Sequence, residues 1–351
     1  MKRTLMRQVK KKLFMVSIIL LIVLFLAGNI VVFLPKRETP PEPGEGQQAK
    51  QPLQESPRQQ PSPPQQHTLL YVVNQLSNDI TVINPATREK ITTIPVGKFP
   101  SDAFLSENHL YVTNTNDNTI TVIDTTNHIT KTIPTPQRPR GNVGRGQDLY
   151  VISEDEDKVA RIHQESGRQT DIAFIKKPTA VAISNAKDKI YVLSPFSREV
   201  SIINPAIDRV VKKISIGEKA KSMAFDGEET ILLVSNGRDI SFIPLKRGKE
   251  TSRIKTRDAP FQMAFTPTNE FVFITHPEAN TITLLSMLQE KEIATIPAEG
   301  SPTAIAIQGT TAYITNYHSH TLSFLDTQTL KITGTIPVGL GPVAISIQEN
   351  A

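Results

Sequence analysis

Three groups of residues in this 351-residue chain are of types that do chemistry. His318 and His320 flank Ser319, and His276 holds a similar place earlier in the chain. Two His at i, i+2 in an extended segment share a face and can grip a metal. A metal site needs three or four supported ligands, and only Glu278 adds a carboxylate close by. These therefore read as solvated turn histidines, with no metal site and no cofactor implied. Glu154, Asp155, Glu156 and Asp157 form the second group. Alternating carboxylates bind Ca²⁺, but the Gly and distal Glu of a calcium loop are missing, which leaves a solvated acidic turn. The third group is basic: Lys98; Arg138 and Arg140; Lys176 and Lys177; Lys219 and Lys221; with Arg145 inside the glycine-rich GNVGRG at 141–146. Arginine grips a carboxylate or phosphate with paired hydrogen bonds, and lysine offers a point charge. This group points to anion binding. No Gly-x-Ser-x-Gly, HExxH or phosphate loop is present. The absence of Cys removes disulfides, thiolate catalysis and zinc–thiolate sites together.

The elements that position these residues follow from a repeat. Seven copies start at Leu70, Leu110, Leu149, Ile190, Ile231, Phe271 and Ala312, in steps of 39 to 41 residues. Each opens on a β-rich run: LYVVN, LYVTN, LYVIS, IYVLS, ILLVS, FVFIT, AYITN. A polar turn, a second run such as TVID, a turn opening on Asn84, Asp124, Asn204 or Asp326, and a third run such as TTIPVG follow. A loop, often through Pro, leads to a fourth run such as TAVAIS. Short Val/Ile/Thr/Tyr runs punctuated by Asx and Gly/Pro turns argue strand. A period near 40 in an all-strand pattern marks propeller blades.

The repeat resembles the YVTN family of seven-bladed β-propellers. LYVTN at 110–114, its weaker copies, and IPVG at 94–97 and 336–339 carry the resemblance, which covers residues 70–351. It implies a fold and little chemistry, because propellers host unrelated functions. The expected architecture is all-β: a seven-bladed propeller of four-stranded antiparallel blades over 67–351. The first copy lacks an innermost strand and the last ends on one. The ring is therefore expected to close by pairing of 342–347 with 70–74, which removes open edges.

In propeller enzymes the catalytic residues converge from loops at the channel mouth. Here those loops should read GKFPSD, PQRPRG, IKKPTA, GEKAKS, TRDAPF, AEGSPT and GLGPVA. They offer no His, and as acids only Asp102, Glu218, Asp258 and Glu299. A hydrolase needs a base and a polarising group, and this set supplies neither convincingly. Four consecutive loops carry the cations, with Arg138, Lys177 and Lys219 in one repeat slot. The sequence predicts an anion site on one side of the mouth, with glycine-rich backbone after Arg140 admitting a ligand.

The N-terminal part has its own logic. Residues 1–12 hold six basic residues and no acid; 13–34 is a 22-residue stretch without charge. About 20 apolar residues span a bilayer as a helix. The stretch exceeds the 7–15 residues of a cleavable signal, and no convincing cleavage site follows. It reads as a transmembrane signal anchor with a cytoplasmic basic flank, which puts the propeller outside the cytoplasm. Residues 35–66 contain nine Pro and eight Gln and form no core, so they read as a disordered linker reaching at most roughly 100 Å.

The chain nets +5, but 1–66 hold ten Lys+Arg against four Asp+Glu, and 67–351 hold 29 against 30. The excess is juxtamembrane, and no nucleic-acid partner is expected. The sequence thus predicts a membrane-tethered binding or scaffolding module for an anionic surface polymer or protein partner. An enzyme with an unrecognised channel-mouth site, and a purely structural envelope component, stay open beside it.

Overall fold

Each repeat folds into four short antiparallel strands because its runs are β-branched or aromatic and its turns carry residues suited to left-handed backbone. The structure, a computed structural model, describes residues 68–349 apart from 185 and 187. The segments 1–12, 13–34 and 35–66 lie outside the described residues. Among the described residues there are 28 strands, β1 to β28 in chain order, in seven four-stranded sheets. This is a seven-bladed β-propeller.

The innermost strands are β4 (Pro100–Ser106), β8 (Pro139–Arg145), β12 (Ala180–Ser184), β16 (Ser222–Phe225), β20 (Met263–Phe265), β24 (Pro302–Gln308) and β28 (Pro342–Gln348). Each touches the innermost strand of the next blade, and they close into a ring around the channel. The second and third strands are buried almost throughout, because both faces of a blade pack on neighbours. In β5 (His109–Asn114), for example, all but the first residue are buried. Seven apolar clusters result, one between each pair of adjacent blades.

The IPVG signature has a local cause. In β3 (Glu89–Pro95) the sole buried side chain is Ile94, which pins the outermost strand to the core. Pro95 follows on the free edge, where a missing N–H costs no ladder bond. Gly97 then lies against Asn114 of the next blade, so close that a Cβ would sit 2.6 Å from Asn114 Cγ. Gly339 meets Asn74, and Gly217 meets Asn236, in the same way.

Ring closure follows the expected pairing. β28 runs antiparallel to β1 (Leu69–Asn74), with Leu70 opposite Ile347 and Val72 opposite Ile345. The repeat alignment needs one correction. Asn114 and Asn316 pair opposite Thr119 and Thr321, and His276 pairs opposite Thr281 in the same way. Ser235 likewise pairs opposite Ile240 as Val73 does opposite Ile80, so the fifth and sixth copies begin at Leu232 and Val272, one residue later than ILLVS and FVFIT imply. Both runs are uniformly apolar, so composition alone left their register free, whereas a strand's facing alternates residue by residue.

Candidate functional site at the channel mouth

The loops entering the innermost strands share one backbone device. In six of the seven, a residue one to three positions before the strand is left-handed: Phe99, Arg138, Lys177, Lys219, Ser301 and Gly341 have φ between 43° and 62°. A residue of the preceding blade caps most of them. The N–H of Phe99, Arg138, Lys177 and Ser301 donates to Asn78, Asn118, Asp157 and Asn280 at 2.7–2.8 Å. Gly341 N–H donates to His320 Nδ1 at 3.1 Å. Arg138, Lys177 and Lys219 thus occupy equivalent slots, as the repeat implies. Hydroxyls tie the mouth from blade to blade: Thr115 donates to Pro139 O (2.8 Å), Thr275 to Thr303 O (2.8 Å) and Thr303 to Pro342 O (2.9 Å).

The acidic turn and half of the cation arc are each other's partners. Glu154 and Asp155 lie in the turn between β9 (Asp148–Ser153) and β10 (Lys158–His163). Arg140 Nε meets Glu154 at 2.5 Å, Arg138 meets Glu154 at 3.7 Å, and Lys177 meets Asp155 at 3.7 Å. Glu156 takes Lys158 and the Gln137 N–H, and Asp157 takes the Lys177 N–H. The turn is therefore bonded throughout, where a solvated turn was expected. Arg138, Arg140 and Lys177 each face a carboxylate of it, and Arg140 does so through Nε alone. Lys98, Lys176, Lys219 and Lys221 are exposed and make no ion pair among the described residues. Lys176 stands 6.0 Å over the Phe196 ring, and Lys221 5.7 Å over Phe261.

Arg145 does not join this group. It ends β8 at the opposite end from Arg140 and pairs with Asp188. Nor do Gly141 and Gly144 open the wall to a ligand. A Cβ on Gly144 would fall 2.6 Å from Phe104, and one on Gly141 would fall 2.9 Å from Asp102 Oδ2. Both glycines make room for side chains of β4. The histidines separate as well. His320 is the cap described above. His276 is buried in the place held elsewhere by Asn, its Nδ1 lies 3.1 Å from Ala259 O, and burial lowers its pKa. His318 lines the mouth, its ring edge-on to Tyr317.

The mouth opens into a cavity of about 690 Å³ to which all seven innermost strands or their entry loops contribute. Its ionisable lining groups are Asp102, Arg140, Lys221, His318 and Tyr317. Val181, Met223 and Met263 supply apolar wall. A second cleft of about 550 Å³ is lined by Lys219, Lys221 and Arg238 together with Glu218 and Glu278. Burial pushes the Asp102 carboxyl up to about 6, opposed by the backbone N–H groups of Ala103 and Asn142. Sequence reasoning named Asp102 only as one acid of four. The signal that singles it out is Gly141, the neighbouring small residue that vacates its space.

Fold and mouth together define a seven-bladed β-propeller with a polar, charge-divided channel entrance. The architecture is shared with a putative 6-phosphogluconolactonase of Bacteroides fragilis, at TM-score 0.69 and 11% identity over 83% of this chain and 100% of that one. It is shared with hydrazine synthase of Kuenenia stuttgartiensis, at 0.66 and 17% over 75% and 93%. Apo AztD of Citrobacter koseri follows at 0.58 and 13% over 82% and 99%. Likeness at such identities establishes the fold alone. No protein-family model and no curated protein matches the chain.

Proposed function

We propose that this protein is a membrane-tethered, extracytoplasmic propeller of the YVTN kind that binds an anionic ligand or partner on one sector of its channel-mouth face. The observation that carries the reading is the set Lys176, Lys219 and Lys221, exposed on adjacent loops and without a carboxylate partner among the described residues. The uncharged stretch 13–34 and the Pro/Gln-rich 35–66 support the tether. Unpaired cations on a domain that nets close to zero create a local positive field. Each exposed contact is worth about 1 kcal/mol or less and is screened by salt. Binding is therefore multivalent and steeply salt-dependent. The test is binding of poly-glutamate to the full chain at low and high salt, with a Lys176→Ala, Lys219→Gly, Lys221→Ala variant beside it. Loss of about tenfold or more in the variant is the expected result. Equal binding by both proteins, or indifference to salt, rejects the reading.

A further inference from the structure

The central cavity is lined by charges of both signs, and its one carboxylate is unpaired among the described residues. Asp102 on β4 makes no ion pair among the described residues; two backbone N–H groups alone oppose the effect of burial on its carboxyl. Gly141 on the neighbouring strand leaves its Oδ2 room, since any side chain there would start 2.9 Å away. On the positive side, Arg140 gives its Nε to Glu154, and its terminal nitrogens make no hydrogen bond among the described residues. Lys221, two blades on, makes no ion pair. A carboxylate taken partly out of water without a cation is costly to hold, so a ligand that brings the cation recovers that cost.

The sign pattern selects the ligand class. A purely anionic molecule filling the cavity would press charge against Asp102. A purely cationic one would meet Arg140 and Lys221. Only a molecule with both charges satisfies both signs. We infer that the cavity binds a zwitterion of amino-acid to short-peptide size, its protonated primary amine on Asp102 and its carboxylate toward Arg140 and Lys221. The volume of about 690 Å³ lies within the span of small-ligand sites. Val181, Met223 and Met263 provide apolar wall for a side chain. The inference rests on the reading of the mouth face as a binding face and adds the chemistry of what enters it.

The test is calorimetric titration of the full chain at pH 7.5 and low salt with a panel of free amino acids and dipeptides. The best binder is then retested as its N-acetyl form and as its C-terminal amide. Both blocked forms are expected to bind at least tenfold more weakly. In Asp102→Asn the free compound should bind no better than its N-acetyl form, and in Lys221→Ala the penalty for amidation should shrink. Gly141→Ala, which keeps all charges and crowds the Asp102 carboxylate, should weaken the free compound and spare the N-acetyl form; it serves where Asp102→Asn fails to fold. Equal binding of free and N-acetylated compounds overturns the inference, and so does a panel without a binder. Poly-glutamate binding that persists in Asp102→Asn leaves the anion reading intact, so the two ideas fail separately.

Discussion

Burial of Asp102 has a consequence for stability as well as binding. Its carboxyl titrates near 6 in the folded protein, against 3.8 ordinarily. The folded state therefore holds this proton more tightly than the unfolded chain. The stability contributed by the protonated form is complete below 3.8 and is lost as pH rises through about 6. Above that, the ionised group costs up to about 3 kcal/mol at 1.36 kcal/mol per unit. Asp102→Asn is accordingly expected to raise stability at pH 7.5 by on the order of 1–3 kcal/mol, and to do so less and less as pH falls from 6 toward 4. Urea unfolding across that range checks it; a constant difference, or destabilisation at pH 7.5, would contradict the burial argument. A side chain that weakens the fold where it is charged, in a cavity, has the profile of a binding residue. None of this was legible in the sequence, where Asp102, Glu218, Asp258 and Glu299 look alike. What separates them is where the strand begins: Asp102 lies inside β4, whereas Glu218, Asp258 and Glu299 lie in the loops before β16, β20 and β24.

The blade is the element at which sequence and structure agree most closely, because each signature residue solves a local problem. The Asn that ends LYVVN or LYVTN sends its Nδ2 to the paired strand: Asn74 to Thr81 at 2.8 Å, and Asn114 to Thr121 at 2.9 Å. The glycine of IPVG leaves room where that Asn stands close. Three of the four Asn face such a glycine, and Asn316 has Glu299 in that place. Gly339, Gly97 and Gly217 face Asn74, Asn114 and Asn236. Where Ser153 and Ser194 replace Asn, their hydroxyls turn instead to Gln137 O and Lys176 O, and the entry loops PQRPRG and IKKPTA carry no glycine in that place. Gly97→Ala should therefore cost about 1–3 kcal/mol by overpacking against Asn114. Adding Asn114→Ser should recover part of that loss, so the double variant is more stable than the sum of the two single changes predicts. Additive effects in thermal melts would mean that the contact is not the reason for the pairing. The same coupling explains the slip in the fifth and sixth copies. Their apolar runs fit two registers equally well, and the pairs that settle the matter, Ser235 opposite Ile240 and His276 opposite Thr281, lie at the end of the stretch aligned or just past it.

At the scale of the molecule, the ring depends on one strand from the far end of the chain. β28 supplies Ala344 to the cluster between the first two blades and Ile345 and Ile347 to the cluster between the last and the first. Tyr71 donates its hydroxyl to Gln348 at 2.9 Å, and Gln348 donates onward to Thr125 at 2.8 Å. Arg88, in the first blade, reaches back to Thr333 O at 2.8 Å and lies 5.0 Å from the Phe324 ring. The first blade is thus tied through its closing strand to Thr125 of the second blade and through Arg88 to the last. This much was legible, because a missing innermost strand at one terminus and a surplus one at the other is a counting argument. The charge pairing was not legible. Whether Glu154 neutralises Arg140 depends on which loop ends converge, and the repeat specifies their equivalence but not their distance. The closure makes a sharp demand on truncations. Removing residues 342–351 strips β1 of its partner, opens two apolar clusters and leaves an unpaired edge. The loss is on the order of 5 kcal/mol or more at 25 cal/mol per Å² of apolar surface, a large part of the 5–15 kcal/mol that holds a typical domain. Removing residues 35–60 touches none of these contacts and should leave the melting temperature of the propeller unchanged. Equal melting temperatures for the two truncations would mean that the ring does not need its closing strand, and the one-strand closure would have to be given up.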